Sequence, residues 1–284
     1  THLVTERRTR DAQGVLKAKT AWTYNASQQV LSVTATDPVT NATRSATTSY
    51  CEAADVAAGT CPIAGLVKTI DGPRPGTLDV ATYQYRAADE SGCATSLATC
   101  AYRKGDLWKV VNALGQSSEI LRYDGAGRMT SAQDANGVIT DLEYNARGWL
   151  TASKQRGTDT GSETDDRIVR IEYWPDGSTK QLIQPDGAYV RFEYDPAHRL
   201  TAIVDGEGNA IRYTLDNAGE RKKEEVFDSA NVLRRTLART YNTLGQLASV
   251  STPHPNPAIT TLVTTTYRYD AEGNPDKMTD ALAR

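Results

Sequence analysis

Three histidines, four cysteines and a recurrent Asp/Asn-x-x-Gly segment are the residues of this chain with the most chemistry to offer. A nucleophile needs a placed base, and a hydrolytic metal needs closely spaced ligands. His198 stands in a turn, His254 lies between Pro253 and Pro255, and His2 is near the start, so none sits in an arrangement of that kind. No GxSxG, phosphate loop or GxGxxG occurs in a fitting context, and Gly206-Glu-Gly208 reads as a hairpin turn. Acidic turns ligate calcium in some repeat proteins. Here the EF-hand spacing is missing, and the side-chain oxygens have a nearer use in capping their own turns. The sequence therefore predicts no enzyme, no catalytic, metal or cofactor-binding residues, and no cofactor.

The cysteines, Cys51, Cys61, Cys93 and Cys100, fall within one short stretch, at a spacing that matches no common zinc pattern. An even, clustered count suits two disulfides in an oxidising compartment, with buried free thiols as the other reading. Of the three connectivities, local closure of 51 with 61 and of 93 with 100 is the simplest.

The elements that carry these residues are legible in composition and period. With 284 residues, 39% hydrophobic and 24% charged, the chain belongs with ordinary folded proteins and can bury a sizeable core. No run approaches the roughly 18 apolar residues of a membrane span. The start, Thr1-His2-Leu3-Val4, lacks the layout of a signal peptide. Beginning without Met and stopping within a repeat at Asp280 to Arg284, the chain reads as a piece of a longer protein. A net charge of −3 with scattered basic residues leaves no footprint for a phosphate backbone, so nucleic acid is not an expected partner. Fourteen Tyr against 2 Phe and 4 Trp, with abundant Thr, favour a half-exposed sheet.

A fixed period overrides any single-element reading. Tyr102, Tyr123, Tyr144, Tyr173, Tyr194, Leu215, Tyr241 and Tyr269 are separated by 21, 21, 29, 21, 21, 26 and 28 residues, and Tyr24 opens an earlier copy. Leaving aside the shortened Tyr102 copy, the next residue is Asn25, Asp124, Asn145, Trp174, Asp195, Asp216, Asn242 or Asp270, which is Asp or Asn in seven of eight copies. Four residues after the marker come Gly127, Gly148, Gly177, Gly219, Gly245 and Gly273, with Gln28 and His198 as exceptions. Asx followed three residues later by Gly is a tight turn, in which the side chain caps the backbone and Gly accepts positive φ. Second turns follow at Asp134–Gly137, Pro185–Gly187 and Asp205–Gly208.

The strands between these turns alternate with period two. Val190, Phe192 and Tyr194 share one face against Arg191 and Glu193, as Ile211, Tyr213 and Leu215 do against Arg212 and Thr214. A 21-residue hairpin cannot bury its apolar face alone, so the hairpins must pair edge to edge. The fold expected is all-β: repeated antiparallel β-hairpins of about 21 residues forming one long, curved, spiralling sheet. Residues 1–39 hold the first copy, 40–101 an irregular, loop-rich, cysteine-containing insertion with strands, and 102–284 the tandem repeats. Exposed sheet edges predict a tendency to associate.

The run Tyr123-Asp124-Gly-Ala-Gly127-Arg128-Met129, and more loosely Tyr194-Asp195-Pro-Ala-His198-Arg199-Leu200, resembles the tyrosine-aspartate (YD) repeat of Rhs proteins. That family includes bacterial polymorphic toxins, shell subunits of insecticidal toxin complexes, wall-associated proteins and teneurins. The resemblance covers residues 102–284 and the copy at Tyr24, and is weak between 40 and 100. The family's Asp-Pro-x-Gly-Leu processing signature is not matched: Asp195-Pro196 begins it and His198-Arg199 departs from it. What the resemblance implies is a segment of shell wall, non-catalytic, secreted or on a bacterial cell surface. Its expected partners are neighbouring repeats and a C-terminal effector domain of the same longer chain. The alternative is an exposed adhesin binding glycans or a neighbouring cell through outward tyrosines. Asn25-Ala-Ser27 and Asn41-Ala-Thr43 are sequons of consequence only in a eukaryotic secretory host.

Overall fold

A computed structural model describes residues 3–76, 78–96, 98–158, 161–254 and 260–281. The chain adopts the expected all-β architecture of successive antiparallel hairpins. It divides into two compact units, one running to Glu143 and including Lys154–Asp166, the other comprising Tyr144–Ser153 and the chain from Arg167 onward.

In the first unit lie β1 (Glu6–Arg10), β2 (Leu16–Tyr24), β3 (Val30–Thr36), β4 (Thr43–Tyr50), β5 (Val67–Asp71), β6 (Val80–Tyr85), β7 (Leu107–Val111), β8 (Ser117–Tyr123), β9 (Met129–Gln133) and most of β10 (Ile139–Tyr144). Each pairs antiparallel with its sequence neighbour from β1 to β10. The division falls within β10 and β11 (Leu150–Gln155). The second unit continues with β12 (Arg167–Tyr173), β13 (Thr179–Ile183), β14 (Tyr189–Tyr194), β15 (Leu200–Asp205), β16 (Ala210–Leu215), β17 (Arg221–Phe227), β18 (Leu233–Tyr241), β19 (Leu247–Thr252), β20 (Val263–Tyr269) and β21 (Pro275–Thr279). These also pair consecutively.

One turn design serves both ends of the hairpins. In the Asp124 turn the Gly127 N–H donates to the Asp124 carbonyl and the Asp124 N–H to that of Arg128, while Asp124 Oδ1 accepts from the N–H groups of Ala126 and Arg128. Asp134 repeats the pattern at the opposite end. The residue at the fourth turn position must take a left-handed φ, and Gly127 does so at 79°. The exceptions obey the same geometry: Gln28 sits at 64°, His198 at 59° and, in a copy the period did not mark, Asn231 at 59°. This turn leaves an extra residue on one strand, so the register shifts just before each marker: Tyr123 pairs with Met129, Tyr173 with Thr179 and Tyr194 with Leu200.

A deep core is not what holds these strands. Among the described residues the buried apolar side chains are Cys51, Cys61, Cys100, Ala152, Ala202 and Ala210, all small. Cohesion comes from the backbone ladders and from cross-strand side-chain pairs such as Thr23–Ser32, Thr34–Ser45, Ser49–Thr69 and Thr240–Ser249, each within 2.7 Å. β1 carries Glu6, Arg7, Arg8 and Arg10, and β21 carries Pro275, Asp276 and Lys277. Such residues on outlying strands oppose the edge-to-edge association that the repeat pattern predicts.

The stretch 40–101 is more regular than its composition implies, because β4, β5 and β6 continue the meander through it. Its irregular part is confined to two loops. One holds α1 (Ala53–Ala57) and is closed by Cys51–Cys61; the other holds a 3-10 turn at Ser91–Ala94 and is closed by Cys93–Cys100. Closing loops this short removes denatured-chain entropy worth about 2–3 kcal/mol each.

Candidate functional site

The marker tyrosines form a ladder. Each sits at the end of its strand and donates its hydroxyl to a main-chain carbonyl one hairpin back: Tyr24 to Val4, Tyr50 to Val30, Tyr85 to Val67, Tyr123 to Leu107, Tyr173 to Leu150, Tyr194 to Thr179, Tyr241 to Arg221 and Tyr269 to Leu247, at 2.7–3.2 Å. Tyr144 ends β10 in the same way. The bonds to Val30, Val67, Leu107, Thr179, Arg221 and Leu247 reach points where a bulge has interrupted the ladder. Leu215 keeps the register, opposite Arg221, without a hydroxyl to give.

Tyr50 and Tyr85 replace Tyr102 in this series. Tyr102 lies outside any strand, where its carbonyl accepts from the Glu90 N–H and its ring stacks on the Arg86 guanidinium at 3.9 Å. The signal for Tyr50 and Tyr85 was present in their alternating strands, Thr43 to Tyr50 and Val80-Ala-Thr-Tyr-Gln-Tyr85. It is hidden because loops follow them, with Cys51 and Arg86 in place of Asx.

Burial of the Tyr123 phenol, reinforced by the Asp106 carboxylate, pushes its pKa from 10.0 up to about 12 against the opposing charge of Arg86. The folded state therefore holds this proton more tightly than the unfolded chain. Its contribution is complete below pH 10 and is lost as pH rises through about 12. Urea midpoints measured across that range should fall, and Tyr123→Phe should lessen the fall; an unaltered alkaline slope in the variant would remove Tyr123 from the account.

Along the turns, the residue after the glycine position bonds back to the first. Arg128 Nε reaches Asp124 and Arg199 Nε reaches Asp195, both at 2.7 Å, while Asn25 pairs with Gln29 and Asn242 with Gln246 at 2.9 and 2.8 Å. The Arg199 guanidinium, then its own backbone N–H, holds the Asp195 carboxyl below its usual range. Asp216 meets Glu220 instead of a donor, and lost hydration followed by that neighbouring charge raises Glu220. The same residue also reaches the next turn: Arg199 Nη1 donates to the Asp216 carbonyl, Gln246 Nε2 to that of Gly273 and Arg147 to that of Pro175 from two residues before Trp149. Trp149 packs on Tyr173, ring centres 5.2 Å apart, and covers Gly177.

Charged side chains gather at one place in the first unit. Lys154, with 10% of its side chain exposed, bridges Glu143 and Glu163, whose hydrogen bonds hold its ammonium above the ordinary value. Arg156 Nη1 lies 2.8 Å from the fully buried Asp166 carboxylate, whose other oxygen accepts from the Gly157 N–H. These contacts fasten the loop between β11 and β12.

The histidines lie apart. His198 pairs through Nδ1 with Asp176 of the preceding turn, His254 lies beyond β19, and His2 is outside the described residues. Among the described residues no group of three or more His, Cys, Asp or Glu side chains is placed to hold a metal ion, and no helix is long and apolar enough to cross a membrane.

Comparison with known proteins places this geometry. The RHS repeat model matches residues 123–160, 173–210 and 194–224. No curated protein matches the sequence. Among solved structures the chain superposes on crystal structures of TcdB2-TccC3 (TM-score 0.59, 17% identity) and TcdB2-TccC3-Cdc42 (TM-score 0.59, 17% identity). It also superposes on the Photorhabdus luminescens Tc holotoxin pore (TM-score 0.57, 17% identity). Each match covers 97% of this chain and 15% of the other, so the chain spans about one seventh of the length of those proteins. The repeat is matched by its family model between residues 123 and 224 and the fold along nearly the whole chain, so this chain carries Rhs, or tyrosine-aspartate, repeats on the fold of those structures.

Proposed function

We propose that this chain is a stretch of wall in an Rhs-type shell that encloses an effector domain carried farther along the same polypeptide, in a protein that is secreted or displayed on a bacterial surface. The observation that carries the reading is the hydroxyl ladder. It spends the recurrent tyrosine of the repeats on fixing hairpin to hairpin, which serves a wall. The similarity to TcdB2-TccC3 over 97% of the chain supports the same reading. On this account the segment is non-catalytic, and its partners are the flanking repeats and the enclosed domain. The two disulfide-closed loops favour an oxidising compartment.

Limited proteolysis of the full-length parent, followed by mass spectrometry of the segment downstream of the repeats, tests it. That segment should resist protease until mild denaturant opens the repeats. Digestion at once, with the repeats intact, would leave an exposed scaffold and favour the adhesin. Outward tyrosines are poor candidates for its glycan platform, because the marker hydroxyls are engaged by the main chain.

A further inference from the structure

Two departures from the repeat lie side by side. Trp174 is the one non-Asx residue at the first position of the marker turns, and its cap comes from the third position, Asp176 accepting from Ser178 as Asp186 does from Ala188 in the Gln184–Gly187 turn. His198, at the glycine position of the next hairpin, holds a left-handed φ of 59° where a side chain is strained. Gln28 breaks the glycine rule without such a neighbour. Together Trp174 and His198 line a surface groove of about 470 Å³ with Pro175, Asp176, Glu193 and Tyr194. A large aromatic in place of the usual Asx and a strained side chain in place of Gly, brought to one groove, point to a site.

The groove has a particular chemistry. Trp174 is 39% exposed, and its indole N–H points to the Phe192 carbonyl at 3.5 Å. Its carboxylates each face a base: Asp176 pairs with His198, Glu193 with Arg191 at 2.9 Å, and Asp195 with Arg199 at 2.7 Å. An aromatic box for a cation would leave its carboxylates free, and here each has a partner while the Lys180 ammonium already stands 5.7 Å from the Trp174 ring centre. An exposed aromatic plate beside carboxylates and an imidazole fits a ligand with an apolar face and a rim of hydroxyls. We propose that the Trp174–His198 groove is a saccharide-binding site taking one pyranose ring of a neutral glycan, stacked on Trp174, with its hydroxyls on Asp176, His198 and Glu193.

The test uses variants that restore the repeat. The intact chain is screened on an array of neutral gluco-, galacto-, manno- and N-acetylhexosamine oligosaccharides, and binding is followed by the indole NMR signal of Trp174. Trp174→Asp and His198→Gly are compared, with melting measured for each. A neutral oligosaccharide should shift the Trp174 signal. Each variant should weaken binding at least tenfold, and His198→Gly should melt higher than the parent as the φ strain is released. Absence of binding to any sugar of the array overturns the proposal, as does affinity within twofold of the parent in both variants. So does a Trp174 signal that answers only to a basic or proline-rich peptide.

Discussion

Replacing Arg156 with alanine should destabilise the first unit by about 3–5 kcal/mol, the expected effect of leaving a buried carboxylate without its partner. The Asp166 side chain is fully buried, and the Arg156 side chain is 13% exposed. Arg156 reaches two further points, donating through Nη2 to the Ser162 carbonyl at 3.1 Å and standing 3.7 Å from Asp141. Among the described residues no aligned donor completes the Asp166 Oδ2 that faces Arg156, so the pairing is chiefly electrostatic. Urea unfolding of parent and variant measures the difference. Replacing both partners, Arg156→Met with Asp166→Leu, should recover most of the loss, since an apolar pair of similar volume needs no counter-charge. A loss below about 1 kcal/mol in the alanine variant would mean that water reaches Asp166 and screens it.

The second large effect separates glycines that look alike in the repeat. Gly127 and Gly177 both take left-handed φ, 79° and 96°. A β-carbon on Gly127 would meet nothing within 4 Å, whereas one on Gly177 would stand 2.9 Å from the Trp149 ring. Gly127→Val should therefore cost about 1–3 kcal/mol, from backbone strain alone. Gly177→Val adds overpacking against an indole that Tyr173 already confines, for a total of about 4 kcal/mol. Gly245 resembles Gly177 less, because its close neighbour is the flexible Glu220 carboxylate at 2.8 Å. Equal losses at 127 and 177, read from the same urea curves, would show that Trp149 swings aside.

The sequence by itself determined whatever depends on a few consecutive residues. Asx followed by Gly three positions later sets a turn that is complete within five residues. The two-residue alternation sets the faces of each strand, and a 21-residue spacing requires the hairpins to repeat. Even the substituted positions follow, since Gln28 and His198 adopt the φ their places demand. Tertiary structure alone decided what lies across a strand boundary. Tyr50 and Tyr85 join the hydroxyl ladder although the loops after them erase the period, because membership depends on which carbonyl lies opposite and not on the count of residues between. Gly177 is tied to Trp149, 28 positions back, and Arg156 to Asp166 across a folded loop. Trp174 and His198 are unrelated exceptions in the sequence, and antiparallel pairing with its one-residue bulges makes them neighbours. Turn chemistry is local and can be read from the chain. Which side chains face one another is fixed by register, and register is a property of paired strands.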